Sequence, residues 1–281
     1  MKLMRVGPRG AERPAMLDGA GVVRDLSGIV EDIAGEVLSE EGLARLRSVD
    51  PGSLPEVPAD TRVGPPVGRV QKFVCVGLNY EDHAREAGQA IPTEPILFGK
   101  AISALSGPDD AIEQPQGSTK LDYEIELAVV VGRTAKNVAE ADAMAHVAGF
   151  AVFNDVSERA FQIERQGQWI KGKSHDGFGP LGPWLVTKDE IADVGRLDMT
   201  LDVNGERRQT GNTETLIFSV PHLVSYISQF MTLHPGDVIP TGTPPGVALG
   251  MAEPKWLMPG DELRLEIAGL GVQRQEVVAS G

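Results

Sequence analysis

Cysteine is almost missing from this 281-residue chain, where Cys75 stands alone. One thiol can form neither an internal disulfide nor a multi-cysteine zinc site, and it suits a reducing compartment. Positive charge is scarce too. Lys and Arg number 26 against 40 Asp and Glu, a formal net charge of −14. A surface that acidic repels phosphate backbones and anionic leaflets, so no nucleic-acid partner and no membrane partner is expected. No apolar run reaches the ~18 residues of a membrane span, and residues 1–5 lead into no signal-peptide core. The expectation is a soluble cytoplasmic protein. Also missing are an H-E-x-x-H pair, a G-x-S-x-G elbow, any βαβ rhythm and any repeat of 20–50 residues.

What the chain has in plenty is turn chemistry, with 33 Gly and 20 Pro beside a 41% apolar set. That favours short strands joined by turns over a helix bundle. Five prolines (51, 55, 58, 65 and 66) stiffen residues 50–69 into an extended connector. It is expected to separate a small N-terminal α/β domain, residues 1–67, from a larger domain, residues 68–281. Within the first, Ser39 caps a helix that Pro51 stops. Within the second, strands are expected at 72–76, 96–98, 123–131, 149–154, 237–241 and 262–267. Asn204-Gly205 should turn a hairpin over 197–209, since that dipeptide supplies the positive φ of a type I′ turn. An Ala-rich helix is expected at 139–147, and a second helix from a Ser219-Val220-Pro221 cap to Met231. The expected fold class is a mixed, β-rich α+β sandwich or roll with a few covering helices.

Two matches to nucleotide motifs fail on context. Residues 167–174 satisfy the P-loop pattern, yet polar, helix-like residues 161–166 precede it where a buried strand is needed. Residues 177–182 satisfy G-x-G-x-x-G, but Pro180 and Pro183 forbid the helix that motif must open. That segment reads as a turn.

The chemical signal lies elsewhere. Glu124 and Glu126, two apart on the clearest strand, share one face, which turns apolar at once with Ala128 and Val130. Two carboxylates at the mouth of a buried face repel unless a cation sits between them. Oxygen ligands without His or Cys select Mg²⁺ or Mn²⁺, with Ca²⁺ a possible substitute. Asp155, at the end of the next strand, is the natural third ligand. His83 and Glu86 lie three apart on a helical turn, where a carboxylate can orient imidazole as a general base. Lys100 and Lys173, in Gly-flanked segments, could each serve an anionic substrate. The turn from Thr241 to Gly246 offers a hydroxyl and close backbone approach. Cys75 sits mid-strand as a core residue, and His146, His222 and His234 read as structural.

Seven ordered segments carry a resemblance. They are Gly77-Leu78-Asn79-Tyr80 with His83 and Glu86; Asp122-Tyr123-Glu124-Ile125-Glu126-Leu127; Asn154-Asp155-Val156-Ser157-Glu158-Arg159; Gly172-Lys173-Ser174; Phe178-Gly179-Pro180; Pro235-Gly236-Asp237; and Thr241-Gly242-Thr243-Pro244. The series resembles the fumarylacetoacetate hydrolase family, and residues 1–67 resemble its longer bacterial members acting on 2,4-diketo-3-deoxy sugar acids. The resemblance implies a fumarylacetoacetate-hydrolase-type sandwich or roll and a Mg²⁺ or Mn²⁺ ion on Glu124, Glu126 and Asp155. It implies a water-activating His83–Glu86 dyad and Lys173 beside a reacting enolate. Candidate substrate contacts are Asn79, Lys100, Gln162 and Thr243. The implied activity is cleavage of a 2,4-diketo acid, an acylpyruvate or a sugar-acid analogue, to pyruvate and a carboxylic acid. Oxaloacetate decarboxylation, keto–enol isomerisation and a ureidoglycolate-lyase-like reaction use the same residues and stand as alternatives. His175 and Gly177 depart from the aromatic or Cys and the Thr common there, which touches substrate choice. A homodimer is implied as well. An apolar stripe at 220, 223, 224, 227, 230 and 231, opposite the uncharged Ser225, Ser228 and Gln229, fits a helix covered on both sides.

Overall fold

The strand Ile125–Val131 is buried along its whole length, because an apolar layer meets each of its faces. Tyr123, Ile125, Leu127, Val129 and Val131 enter one core, shared with Met199, Leu201, Leu263, Leu265 and Ile267. Ala128 and Val130 enter a second, shared with Leu3, Leu38 and Val238. The period-two alternation of the sequence is thus the alternation between two cores. The computed structural model describes residues 1–86 and 90–281, His83 through its backbone alone.

That strand lies near one edge of a nine-stranded sheet. Seven of its strands run in the order Val238–Pro240, Ile125–Val131, Val147–Asn154, Gly179–Thr187, Lys2–Val6, Arg13–Leu17, Val23–Asp25, each antiparallel to the next, while Val63–Gly64 pairs antiparallel with Lys2–Val6 and Leu105–Ser106 parallel with Gly179–Thr187. A five-stranded sheet packs over it, in the order Glu206–Asn212, Asp198–Val203, Glu262–Ile267, Gly271–Ala279, Ile112–Gln114. The fold is strand-rich, as expected. The 1–67 segment shares both a sheet and a core with the rest: Lys2 pairs with Val186, and Leu3, Leu26 and Leu46 pack with Phe153 and Leu181.

Local signals show directly in the elements. Ser39 accepts from Gly42 N at 3.1 Å to cap Glu40–Arg47. Asn204 and Gly205, at φ 51° and 75°, turn the hairpin between Asp198–Val203 and Glu206–Asn212. Ser219 caps Val220–Phe230. Its Val220, Leu223, Val224 and Ile227 sink into this chain's own core and Met231 packs against it half-buried, whereas Phe230, at 61% exposed, leaves the expected stripe. The Ala-rich segment winds as a 3₁₀ helix, Glu140–His146.

One expectation is corrected. Residues 179–187 form the interior strand Gly179–Thr187, and only Gly177, at φ 82°, keeps a turn conformation. Pro180 and Pro183 lack ladder N–H groups. The Gln273 side chain compensates from the other sheet, its Nε2 donating to the carbonyls of Val152, Gly182 and Pro180 at 2.8, 3.1 and 3.3 Å.

Candidate active site

The pairing of two neighbouring strands brings three carboxylates together. Ile125 lies opposite Asn154 and Glu126 opposite Phe153. Asp155 N donates to Glu124 O at 2.9 Å, and Asn154 Oδ1 accepts from Glu124 N at 3.1 Å. Glu124, Glu126 and Asp155 therefore end on the same side, with one oxygen from each lying within 4.8 Å of the others. All three are buried.

Buried cations answer them. Lys173 Nζ donates to Glu124 Oε2 at 2.5 Å and to Asp155 Oδ2 at 2.8 Å. Its helical turn, Ile170–Lys173, presses against the π-helical turn Ala160–Glu164 through Gly172, where a Cβ would lie 2.5 Å from Glu158 O. Only glycine lets Lys173 reach that depth. Lys100 Nζ donates to Asp155 Oδ1 at 2.5 Å and to Val156 O at 3.1 Å. Arg159 spans the cluster, with Nη2 to Glu124 at 2.6 Å, Nε to Asp122 at 2.8 Å and Nη1 to Gln162 Oε1 at 3.0 Å.

Four carboxylates (Asp122, Glu124, Glu126, Asp155) thus face three cations (Lys100, Arg159, Lys173). The imbalance falls on Glu126. Burial, and then the charges of Asp155 and Glu124, push its carboxyl well above the usual range. Among the described residues it accepts one hydrogen bond, from Gly242 N at 2.9 Å. Gly242 holds φ 98°, and a Cβ there would meet Asn79 Cβ at 2.9 Å. Burial opposes the charge of Glu124 as well, but Arg159 and Lys173 override it and hold this carboxyl far below its usual value. Burial works against the Lys173 ammonium, and Asp155 and Glu124 more than offset it.

Hard oxygen donors converging on an uncompensated buried carboxylate fit a divalent cation. With such a cation the cluster would carry one positive charge in excess, which matches one carboxylate of an incoming ligand.

The cluster opens on a cavity of about 670 Å³ whose wall includes Glu86, Glu124, Glu126, Arg159, Gln162, Lys173 and Thr243. Most of the residues singled out in the sequence therefore meet here. Glu86 stands on the wall and accepts from Gly246 N at 3.2 Å. Thr243 Oγ1 donates to Ile125 O and accepts from Gln209 Nε2, both at 2.8 Å. His83 has its backbone in the helix Glu81–Glu86, and its side chain lies outside the described residues.

Two expected substrate contacts have other positions. Asn79 spends its amide on the scaffold, donating to Thr241 O and Phe218 O and accepting from Phe218 N. Lys100 lies behind Asp155 and is not part of this cavity wall.

Sequence reasoning missed Arg159, Asp122 and Gln209. Asp122 accepts from Ala248 N and Leu249 N at 2.8 and 3.1 Å, fastening one wall to Arg159. Gln209 Oε1 accepts from Ile125 N at 3.0 Å, between the two glutamates, while its Nε2 holds the Thr243 turn. Arg159, four residues after Asp155 in the segment Asn154-Asp155-Val156-Ser157-Glu158-Arg159, was open to detection. Gln209, on a distant hairpin, carries no local signal.

The geometry is that of a cavity over three converging buried carboxylates that could hold a metal ion. The family profile described as Fumarylacetoacetate (FAA) hydrolase C-terminal matches residues 72–278, and the chain belongs to the fumarylacetoacetate hydrolase family. A Burkholderia cenocepacia protein, itself named provisionally as a hydrolase, is 56% identical over 276 residues, 98% of each chain. The fumarylacetoacetate hydrolase of Exiguobacterium antarcticum superposes with a TM-score of 0.87 at 35% identity, covering all of both chains. Maleylpyruvate hydrolase from Sphingobium sp. SYK-6, solved with manganese(II) and pyruvate, gives 0.82 at 29% identity, again over both whole chains.

Proposed function

We propose that this protein hydrolyses the C3–C4 bond of a 2,4-diketo acid, releasing pyruvate and a carboxylic acid, with Mg²⁺ or Mn²⁺ held by Glu124, Glu126 and Asp155. The observation that carries the reading is the acid-rich buried cluster on the cavity floor with Lys173 at its centre. A similar protein that holds manganese(II) and pyruvate supports it.

The divalent cation, when bound, supplies Lewis-acid polarisation of the keto acid's oxygens. His83, from the helix that also carries Glu86, takes a proton from water as the water oxygen bonds to C4. The C3–C4 bond then breaks, its electrons pass to the three-carbon fragment, and a proton delivered to C3 completes pyruvate. Lys173 holds a fixed positive charge where negative charge develops, an arrangement that needs no reorganisation during reaction. Gln162 and Thr243, on the cavity wall, contact the carboxylate end, and Arg159 holds Glu124 and Gln162 in position.

The test is product analysis after incubation with acylpyruvates and Mn²⁺, before and after chelation. Pyruvate formed only with metal supports the reading. Enolisation or loss of CO₂ without C3–C4 cleavage would replace hydrolysis with isomerase or decarboxylase chemistry. The same reading includes a homodimer, checked by light scattering at micromolar concentration in low and high salt.

A further inference from the structure

The substrate's head is read by the buried floor, so the tail must be read by the mouth, and the mouth differs in chemistry. Glu124, Glu126 and Lys173 are at most 6% exposed. The wall residues Ile96, Ile163 and Leu249 are 36, 49 and 43% exposed, and they stand among the few large apolar side chains this protein shows to solvent. Trp169 and Phe98 meet edge to face at 5.1 Å on the same wall. Isolated surface apolar residues need no explanation, but three of them ringing one cavity do.

Charge on the wall points the same way. Among the described residues its cations are Arg159 and Lys173 alone, and both already face carboxylates on the floor. Glu86, the charged wall residue outside the floor cluster, is itself a carboxylate. A tail carboxylate would lose water here without gaining a cation, and a polyol would lose water against Ile96, Ile163 and Leu249, whose side chains offer it neither donor nor acceptor.

We propose that this site selects 2,4-diketo acids whose acyl tail beyond C4 is neutral and apolar, alkyl or aryl, over tails bearing a carboxylate or several hydroxyls. Ile163, Leu249 and Trp169 are the specificity-determining residues. The inference rests on the diketo-acid reading of the floor and narrows it away from sugar acids.

The test measures kcat/KM at fixed Mn²⁺ for acylpyruvates that share one head and differ in tail: straight alkyl, phenyl, terminal carboxylate and polyhydroxyl. Apolar tails should exceed the other two by at least tenfold, with about fourfold gained per methylene over the first few. Ile163→Arg, an exposed change, should narrow or reverse the gap between apolar and carboxylate tails. Retained Mn²⁺ binding by calorimetry shows that this variant is folded. Equal rates on all tails, or preference for the carboxylate or polyol tail, overturns the tail assignment while leaving the hydrolase reading intact. No cleavage of any tail overturns both.

Discussion

Two networks of buried and half-buried charge lie in this protein, and they are built on opposite principles. Near the N-terminus, Arg62 clasps Asp110 at 2.6 Å and Glu12 at 2.9 Å, Arg5 holds Asp32 at 2.6 Å, and Arg9 reaches Asp110 at 3.2 Å. Three acids meet three arginines, and the network ties the first strands to the 107–110 turn. On the cavity floor four acids meet three cations in deeper burial. A balanced network is complete within the fold. An unbalanced one carries a standing electrostatic cost that a bound cation removes. The difference sets the cavity floor apart as the candidate functional centre.

The sharpest way to break that contrast is to neutralise the surplus acid. Glu126→Gln should lower Mn²⁺ affinity by about 100-fold or more, since it removes one anionic ligand. Turnover at low metal should fall with it. Calorimetric Mn²⁺ binding as tight as in the unmodified protein would show that the floor is not the cation site.

His83→Ala should leave the imbalance alone and remove only the base. A drop of roughly 10²–10⁴ in kcat is expected, with Mn²⁺ and oxalate binding retained. Oxalate stands in for the enolate by offering two oxygens. Undiminished turnover would place the base on another residue.

The floor was readable from sequence to the extent that it is local. Glu124 and Glu126 share a face by strand period, and Asp155 follows an apolar strand, so sequence pattern alone gathers the three carboxylates. Of their counter-charges, Lys100 and Lys173 stood out in the sequence as cations, but which carboxylate each one answers did not. Arg159 acts through partners at 122, 124 and 162, and Lys100 reaches Asp155 across 55 residues, distances set by tertiary packing. The strand Gly179–Thr187 was illegible for a similar reason. Its prolines argue against a ladder, and the compensating amide belongs to Gln273 in the opposite sheet. Capping and turn chemistry at Ser39, Ser219 and Asn204-Gly205 needs nothing distant, and those elements agree closely.

Arg62→Ala probes the balanced network. Removing the arginine leaves Asp110 and Glu12 without their main partner, at a cost of about 1–3 kcal/mol, or a few degrees in Tm. Thermal unfolding should show that loss while kcat/KM on the best diketo acid stays within twofold. A large fall in kcat/KM with unchanged Tm would mean that this network, too, serves the site.

The smallest effect expected is in pH, and it separates the networks by sign. Burial raises the Asp110 carboxyl, but Arg62 and Gly107 N prevail and hold it below 3.8. Its contribution to stability is therefore present above the ordinary carboxylate range and is lost as pH falls through the lowered value. Glu126 is raised above 4.5, by burial first and by Asp155 and Glu124 next. Its contribution is present below 4.5 and is lost as pH rises through the raised value. Metal-free protein should then lose Tm progressively as pH climbs from about 4.5. Glu126→Gln should flatten that slope, because a side-chain amide has no proton to lose. Saturating Mn²⁺ should flatten it in the unmodified protein, because the cation favours the ionised carboxylate. Thermal scans across pH on the metal-free protein, the variant and the loaded protein check all three. An identical slope in the metal-free protein and the variant would assign the alkaline loss to groups other than Glu126, and the surplus acid would no longer distinguish the floor from the scaffold.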